Sequence, residues 1–286
     1  MSSLTSWDFV EGDPITAELT AVRRLGGGSA YEAYLAFDEI TYAPVVVKIV
    51  RPDQVEDEHS LRGLAREVDA LATINHPVVV RGLRHVLSGE RPHVVLEQID
   101  GPRLSTLVRR YGPLQEQQYL PLAIEVASAL HYLAHLGWVH LDVKPSNVIM
   151  GAPARLIDLS VARPVADAAR TVRIGTDAYM SPEQADPDRF GAPSTASDVW
   201  GLCATLFEGV AGYRAFDRAH NDELPQTYDD PYQLPDGVPP EVSKVLYAGL
   251  DRDPANRPLP REIAEALEPV LDRQPPVRLG GALRTR

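Results

Sequence analysis

Between Thr16 and Val50 the apolar positions fall into short β-type runs around a glycine cluster: Glu18 to Leu25, then Gly26-Gly27-Gly28, then Tyr31 to Phe37, then Val45-Val46-Val47. Such runs predict an antiparallel meander. The charged stretch from Asp53 to Glu58 leads into Leu61, Leu64, Val68 and Leu71, spaced as on one face of a helix that packs on the small sheet. Two more β-type runs, Val78 to Leu87 and His93 to Ile99, stop at Asp100-Gly101-Pro102, where a lobe boundary is placed. Beyond it Leu120, Ala123, Val126, Ala127, Leu130, Leu133 and Ala134 trace an amphipathic helix, and Val199 to Val210 is apolar nearly all round, as in a helix buried inside a lobe. The expected architecture is α+β: an N-lobe over residues 10–99 with a small antiparallel sheet and one main helix, and a larger, mainly helical C-lobe over residues 100–271. From Asp272 on, Pro275-Pro276, Gly280-Gly281 and Arg273, Arg278, Arg284 and Arg286 occur without an acid, which predicts a disordered basic tail or truncated linker over residues 272–286.

Composition narrows the function. A formal charge of −12 over 286 residues argues against a nucleic-acid partner, which needs a clustered basic face. The single cysteine, Cys203, lies in the buried helical run and cannot form an internal disulfide, and no Cys/His spacing of the metal-binding kind occurs. No segment approaches the roughly 18 apolar residues that span a bilayer, so a cytoplasmic protein without a membrane span is expected.

The chemistry concentrates in a few places. Leu25-Gly26-Gly27-Gly28 opens a turn in which backbone amides, free of side chains, can approach phosphate closely; three glycines between strands are more often a simple hairpin turn. Lys48 ends a strand-like run that would hold its ammonium inside a cleft, where it needs an anion, and Glu67 on the inward face of the next helix is a fitting partner. Taken alone, the two read more readily as a surface lysine and a helix-face glutamate that never meet. The decisive stretch is Val139-His140-Leu141-Asp142-Val143-Lys144-Pro145-Ser146-Asn147, followed by Leu156-Ile157-Asp158-Leu159-Ser160.

With these residues the chain resembles the bacterial, eukaryotic-like serine/threonine protein kinases, whose signature set recurs in order over residues 10–271. The family's H-R-D-x-x-x-x-N loop corresponds to His140 to Asn147, its D-F-G to Asp158 to Ser160 and its A-P-E to Ser181-Pro182-Glu183. The resemblance implies the two-lobed protein-kinase fold. It implies that Asp142 receives or orients the proton of the substrate hydroxyl, that Lys144 contacts the γ-phosphate of ATP, and that Lys48, paired with Glu67, holds the phosphates. Asn147 and Asp158 would hold Mg²⁺, with Mn²⁺ as a second option. Leu25, Gly26, Gly28, Ala33, Val46, Leu96, Glu97, Ile99 and Ile149 would line the nucleotide, Leu96 at the back, Glu97 to Ile99 offering backbone groups to adenine and Ile149 as the floor. Asp198 would anchor the catalytic loop, Arg257 would pair with Glu183, and His140 would only buttress the loop. Gly175 to Gln184 resembles the peptide-docking end of an activation segment, with Thr176 and Lys144 bracketing the base; protein Ser/Thr hydroxyls are the implied acceptors, and a dimer is left open.

The chain departs from the family at several positions. Tyr31 replaces the third glycine of G-x-G-x-x-G, which is expected to stiffen the loop and put an aromatic at its tip. Ala33 and Val46 exchange the usual bulk between neighbouring strands, a volume-conserving swap. Leu141 removes the arginine that receives an activation-loop phosphate, so phosphorylation of Thr171 is expected not to be an on switch of the usual kind, although Thr171 stands as a candidate autophosphorylation site. Ser160 replaces the flexible glycine of D-F-G. Two other functions are compatible with parts of this pattern: a pseudokinase that binds nucleotide without transferring phosphate, and a small-molecule kinase, which would lack the docking segment and Arg257.

Overall fold

Alternation in the N-terminal third sets two faces on one sheet. The computed structural model describes residues 5–170, 173–216 and 224–274. Strands β1 (Leu19–Gly27), β2 (Tyr31–Asp38) and β3 (Ala43–Val50) run antiparallel, and β4 (Gly82–Val86) and β5 (His93–Glu97) complete a sheet of order β1-β2-β3-β5-β4. Helix α1 (Glu58–Thr73) joins β3 to β4. Side chains two apart share a face. Tyr34, Ala36, Val45, Val47 and Ile49 therefore bury together on one side, with Ile15, Leu19, Ala21 and Val95 and with Trp7 and Phe9 against them. Val50, Val94 and Leu96 meet Leu64 and Val68 of α1 on the other side. Lys48 belongs to this second face by parity, which is what points it towards α1.

The run expected as one strand from Val78 to Leu87 divides. Only Gly82–Val86 joins the sheet. Upstream, Val79 bridges Leu156 in parallel, with Val80 N–H donating to the Leu156 carbonyl at 3.0 Å and Leu156 N–H to the Val78 carbonyl at 2.6 Å. A β-branched run looks the same in sequence whether its backbone pairs within the sheet or across to the other lobe, and here it does the latter.

After β5 the chain enters α2 (Leu104–Tyr111) and α3 (Glu116–His135). Short pairs follow: β6 (Trp138–Val139) with β9 (Arg163–Pro164), and β7 (Val148–Ile149) with β8 (Arg155–Leu156). Single turns α4 (Val165–Ala168), α5 (Pro182–Ala185) and α6 (Pro187–Phe190) precede α7 (Thr195–Ala211), α8 (Pro240–Gly249) and α9 (Pro260–Asp272). Helix α7 is the expected all-round apolar helix: Trp200, Leu202, Cys203, Leu206 and Phe207 are each at most 2% exposed. It packs on α3 and α8, and α3 in turn packs on α9. Burial pushes the Cys203 thiol up to about 12, in keeping with an inert core residue.

The first three residues of the stretch expected as a tail, Asp272 to Gln274, are held by the C-lobe. Asp272 closes α9, Arg273 pairs with Glu241 at 2.8 Å, and the Gln274 side chain bonds Gln117 at 3.1 Å and also Glu116. The remaining part, residues 275–286, lies outside the described residues. Among the described residues no helix is long and apolar enough to cross a membrane.

Candidate active site

The loop between β6 and β7 is held from behind. Asp198, in the first turn of α7, accepts the backbone N–H groups of His140 and Leu141, each at 2.7 Å. Burial raises the Asp198 carboxyl, and these two donors, with His140 nearby, work against that rise. His140 is fully buried, and its Nδ1 accepts the Asp142 N–H at 3.2 Å, a buttress rather than a reacting group. The result is a fixed backbone from which Asp142 projects. Lys144 Nζ donates to Asp142 Oδ2 at 2.6 Å and to Thr176 Oγ1 at 2.6 Å, while the Thr176 hydroxyl lies 2.7 Å from Asp142 Oδ1. Asn147 Nδ2 donates to the Asp142 carbonyl at 3.0 Å and to Oδ2 at 3.1 Å. The sequence therefore brings Asp142, Lys144, Asn147 and Thr176 into one cluster whose carboxylate is pinned on both oxygens.

Across the cleft Lys48 Nζ lies 2.7 Å from Glu67 Oε2 and 2.9 Å from Asp158 Oδ1. The alternative in which lysine and glutamate never meet is thus excluded. Burial alone would lower the Lys48 ammonium; Glu67 and Asp158 overcome it and hold the group above the usual lysine value. Burial likewise would raise the Asp158 carboxyl, yet Lys48 keeps it well below the usual range. At Glu67, 1% exposed, burial wins and the carboxyl is raised. One cation thus joins β3, α1 and the segment after β8.

The segment after Asp158 supplies the rest. Leu141, at φ 62° and 3% exposed, packs with Val139 and Ala168, and with Val161, Val165 and Ile174. Leu141 thus fills an apolar cluster beside the loop. Gln184 Nε2 donates to the carbonyls of Leu141 at 2.9 Å and Ile174 at 2.8 Å, so the docking segment is tied to the catalytic loop. Glu183 and Arg257 make a two-pronged pair at 2.7 and 2.8 Å, both side chains fully buried. Thr171 lies outside the described residues.

Tyr31 is not at the tip of the glycine-rich turn. It opens β2, and its hydroxyl donates to the Ser60 carbonyl of α1 at 2.6 Å. The turn is braced instead by Arg51, whose Nε donates to the Gly28 carbonyl at 2.7 Å while Nη1 reaches Glu32 Oε1 at 2.8 Å. Sequence reasoning missed this pair. Glu32 was the available signal, since a carboxylate on β2 in the same parity as the core residues Tyr34 and Ala36 must find a cation.

Comparison with known proteins identifies the arrangement. The sequence profile described as protein kinase domain matches residues 19–267. The chain belongs to the protein kinase family. It is 30% identical over 253 residues to serine/threonine-protein kinase PknB of Mycobacterium leprae, covering 82% of this chain and 39% of that protein. The Mycobacterium tuberculosis PknB is 30% identical over 254 residues with the same coverage, and its PknK is 30% identical over 301 residues, covering 96% of this chain and 27% of PknK. The chain therefore spans about two fifths or less of the length of these relatives.

Kinase membership gives the cleft a test: do its residues fit a nucleotide and a hard cation? Gly26 and Gly28 are exposed, and a Cβ added to either would meet nothing within 4 Å, which leaves space beside the turn, although the Gly28 N–H already donates to the Tyr31 carbonyl at 2.9 Å. Leu25, Ala33, Val46, Ile99 and Ile149 are each half-buried, which leaves part of their surface for a ligand; Leu96 is 8% exposed and packs towards α1. Asp158, at φ 68° with its side chain 36% exposed, and the amide of Asn147 supply the oxygen donors that Mg²⁺ prefers. These residues fit. Glu97 is placed differently from its neighbours in the hinge: its N–H donates to the Arg81 carbonyl at 3.0 Å, and its carboxylate turns to Arg81, at 3.0 Å, and to Arg155. Its side chain serves the linkage of the lobes and its N–H is taken, so within Glu97 to Ile99 the backbone groups to be tested against adenine are the Glu97 carbonyl and those of Gln98 and Ile99.

Proposed function

We propose that this chain carries the catalytic domain, residues 10–271, of a serine/threonine protein kinase that transfers the γ-phosphate of Mg·ATP to a protein hydroxyl. The observation that carries this reading is the Asp142 cluster, a carboxylate held on one oxygen by Lys144 and on the other by Thr176. Asp142 orients the acceptor hydroxyl and takes its proton, a role that contributes about 10²- to 10⁴-fold. Lys144 lies where it can balance charge on the transferred group, and Thr176 narrows the approach in favour of a Ser/Thr acceptor. Lys48, with Glu67 behind it, grips the phosphates from the N-lobe side. Asn147 and Asp158 would hold Mg²⁺, which when bound neutralises the charge that develops on the phosphate oxygens.

Leu141 supports a further point: with no arginine at that position beside Asp142, phosphorylation of Thr171, a candidate autophosphorylation site, is not an on switch of the usual kind. Transfer between two copies would require a dimer, formed at least for the encounter. A cytoplasmic setting, where ATP is supplied, suits the reaction. The test is the intact mass of the protein after incubation with Mg·ATP and with Mn·ATP, beside Asp142→Asn, with nucleotide binding followed by thermal shift. Phosphate added to the wild type and not to the variant is the expected result, and a rate per molecule that rises with protein concentration marks transfer between copies. Nucleotide binding without transfer, to itself or to a generic protein substrate, would establish the pseudokinase reading instead.

A further inference from the structure

The roles assigned to the glycine-rich turn leave its aromatic residue unused. Tyr31 is half-buried, its hydroxyl donates to the Ser60 carbonyl at 2.6 Å, and its ring centroid lies 5.1 Å from Lys48 Nζ. Burial raises its phenol above the usual value, so the hydroxyl remains a donor. Ser60 stands roughly two turns before Glu67 on the same helix. The remaining participant is Gly63. Glycine is the poorest helix former after proline, yet it occupies the middle of α1. A Cβ there would stand 2.3 Å from the Tyr31 hydroxyl oxygen and 3.6 Å from Cζ. The ring is rigid and its far end is bonded to Ser60, so the hydroxyl could yield only by giving up that bond.

We propose that Tyr31 is a positioning residue that ties the glycine-rich turn to α1 and so holds Glu67 against Lys48, with Gly63 as the gap in the helix that admits it. The cation of Lys48 faces three groups of this frame: the carboxylates of Glu67 and Asp158 and the face of the Tyr31 ring. Removing the hydroxyl loosens the ring without emptying the space. Adding a methyl at Gly63 evicts the hydroxyl, but does so only if the hydroxyl is there. The functional consequence rests on the reading of Lys48 and Glu67 as phosphate-gripping residues; the geometric claim does not.

The experiment is a double-mutant cycle of wild type, Tyr31→Phe, Gly63→Ala and the pair, read in two ways. The first is brief acylation with a small amine-reactive reagent, followed by peptide mass spectrometry. The chain has three lysines, and exposed Lys244 is the internal reference for Lys48. Gly63→Ala is expected to raise Lys48 labelling at least about fivefold when the tyrosine is present and to change it less than about twofold when Tyr31→Phe has already been made. The second readout is kcat and KM for ATP in phosphate transfer, where the same pattern is expected, with Gly63→Ala lowering kcat more than it raises KM. Equal effects of Gly63→Ala with and without the tyrosine hydroxyl would overturn the proposal. Should Gly63→Ala alone fail to fold, Tyr31→Phe decides: Lys48 labelling raised about twofold or more supports the tie, and unchanged labelling refutes it. A wild type that transfers no phosphate but shows the coupling in Lys48 labelling would retire the kinase activity and leave the positioning role standing.

Discussion

Each lobe contains a buried carboxylate facing a cation, and the two pairs are built differently. In the C-lobe, Arg257 and Glu183 join segments far apart in sequence by two parallel hydrogen bonds, and the guanidinium also donates to the Ala196 carbonyl at 2.9 Å, its side chain fully buried. In the N-lobe, Lys48 meets Glu67 by a single contact at 2.7 Å and shares its charge with Asp158, 36% exposed and contributed by the other lobe. Arginine's planar fork fixes geometry, whereas lysine is a point charge on a flexible stem. The C-lobe pair is therefore an internal brace that fixes the docking segment, and the N-lobe pair is a junction whose closure depends on how β3, α1 and the segment after β8 are seated.

Breaking the brace should give the largest effect on stability. Arg257→Met leaves the Glu183 carboxylate buried without its partner, at an expected cost of about 3–5 kcal/mol in chemical denaturation. Breaking the junction should leave the fold largely in place and remove function: Lys48→Met is expected to lower phosphate transfer by about 10²- to 10³-fold. Its effect on the denaturation midpoint should be clearly smaller than that of Arg257→Met. The reason is geometric: Lys48 makes a single contact to Glu67 and shares its charge with Asp158, whereas Arg257 is bound to Glu183 by two parallel hydrogen bonds. If the two variants lost stability equally, the contrast between brace and junction would fail.

Leu141 refines the comparison from within the C-lobe. Its side chain fills the cluster of Val139 and Ala168 beside the base, so Leu141→Ala should cost about 2 kcal/mol or somewhat more through the cavity it opens. Restoring the family's arginine there should be worse, since the cation would enter an apolar pocket. A Leu141→Arg protein as stable as the wild type would show that the pocket accommodates a cation.

How much of this is legible in the chain differs between the same two regions. Asp142, Lys144 and Asn147 are close in sequence and are read through the resemblance to protein kinases, as is the pairing of Lys48 with Glu67; the parity of β3 accounts for the direction of Lys48 once the fold is known. The two faces of the sheet and the buried α7 follow from periodicity. Tyr31 escapes sequence reasoning because its position is decided by the glycine at position 63, a residue on another element that carries no motif. The Val78 to Val80 segment escapes it because β-branched residues signal extended backbone but not its hydrogen-bonding partner. Gln184 and Arg51 are hidden for a related reason: each bonds backbone carbonyls, and any residue supplies a carbonyl.

The smallest effect, and the most direct reading of the brace, is in its pH dependence. Burial pushes the Glu183 carboxyl up, but Arg257 and Ser197 outweigh it, so its folded-state value lies below the ordinary 4.5. A carboxylate depressed on folding binds its proton less readily in the folded than in the unfolded chain. Its contribution is fully present above pH 4.5 and is lost as pH falls below that, through the folded value. Asp38, held low by Arg84, and Asp158, held low by Lys48, lose stability with the same sign, so a single curve cannot separate the contributions. Glu183→Gln isolates the share of Glu183, because it removes one titration and leaves the others. The denaturation midpoints of wild type and Glu183→Gln should differ most at neutral pH and converge as pH falls below 4.5. Midpoints that stay parallel down to the acid limit would mean that Arg257 stabilises the docking segment through its hydrogen bonds to backbone carbonyls, with the charge of Glu183 incidental.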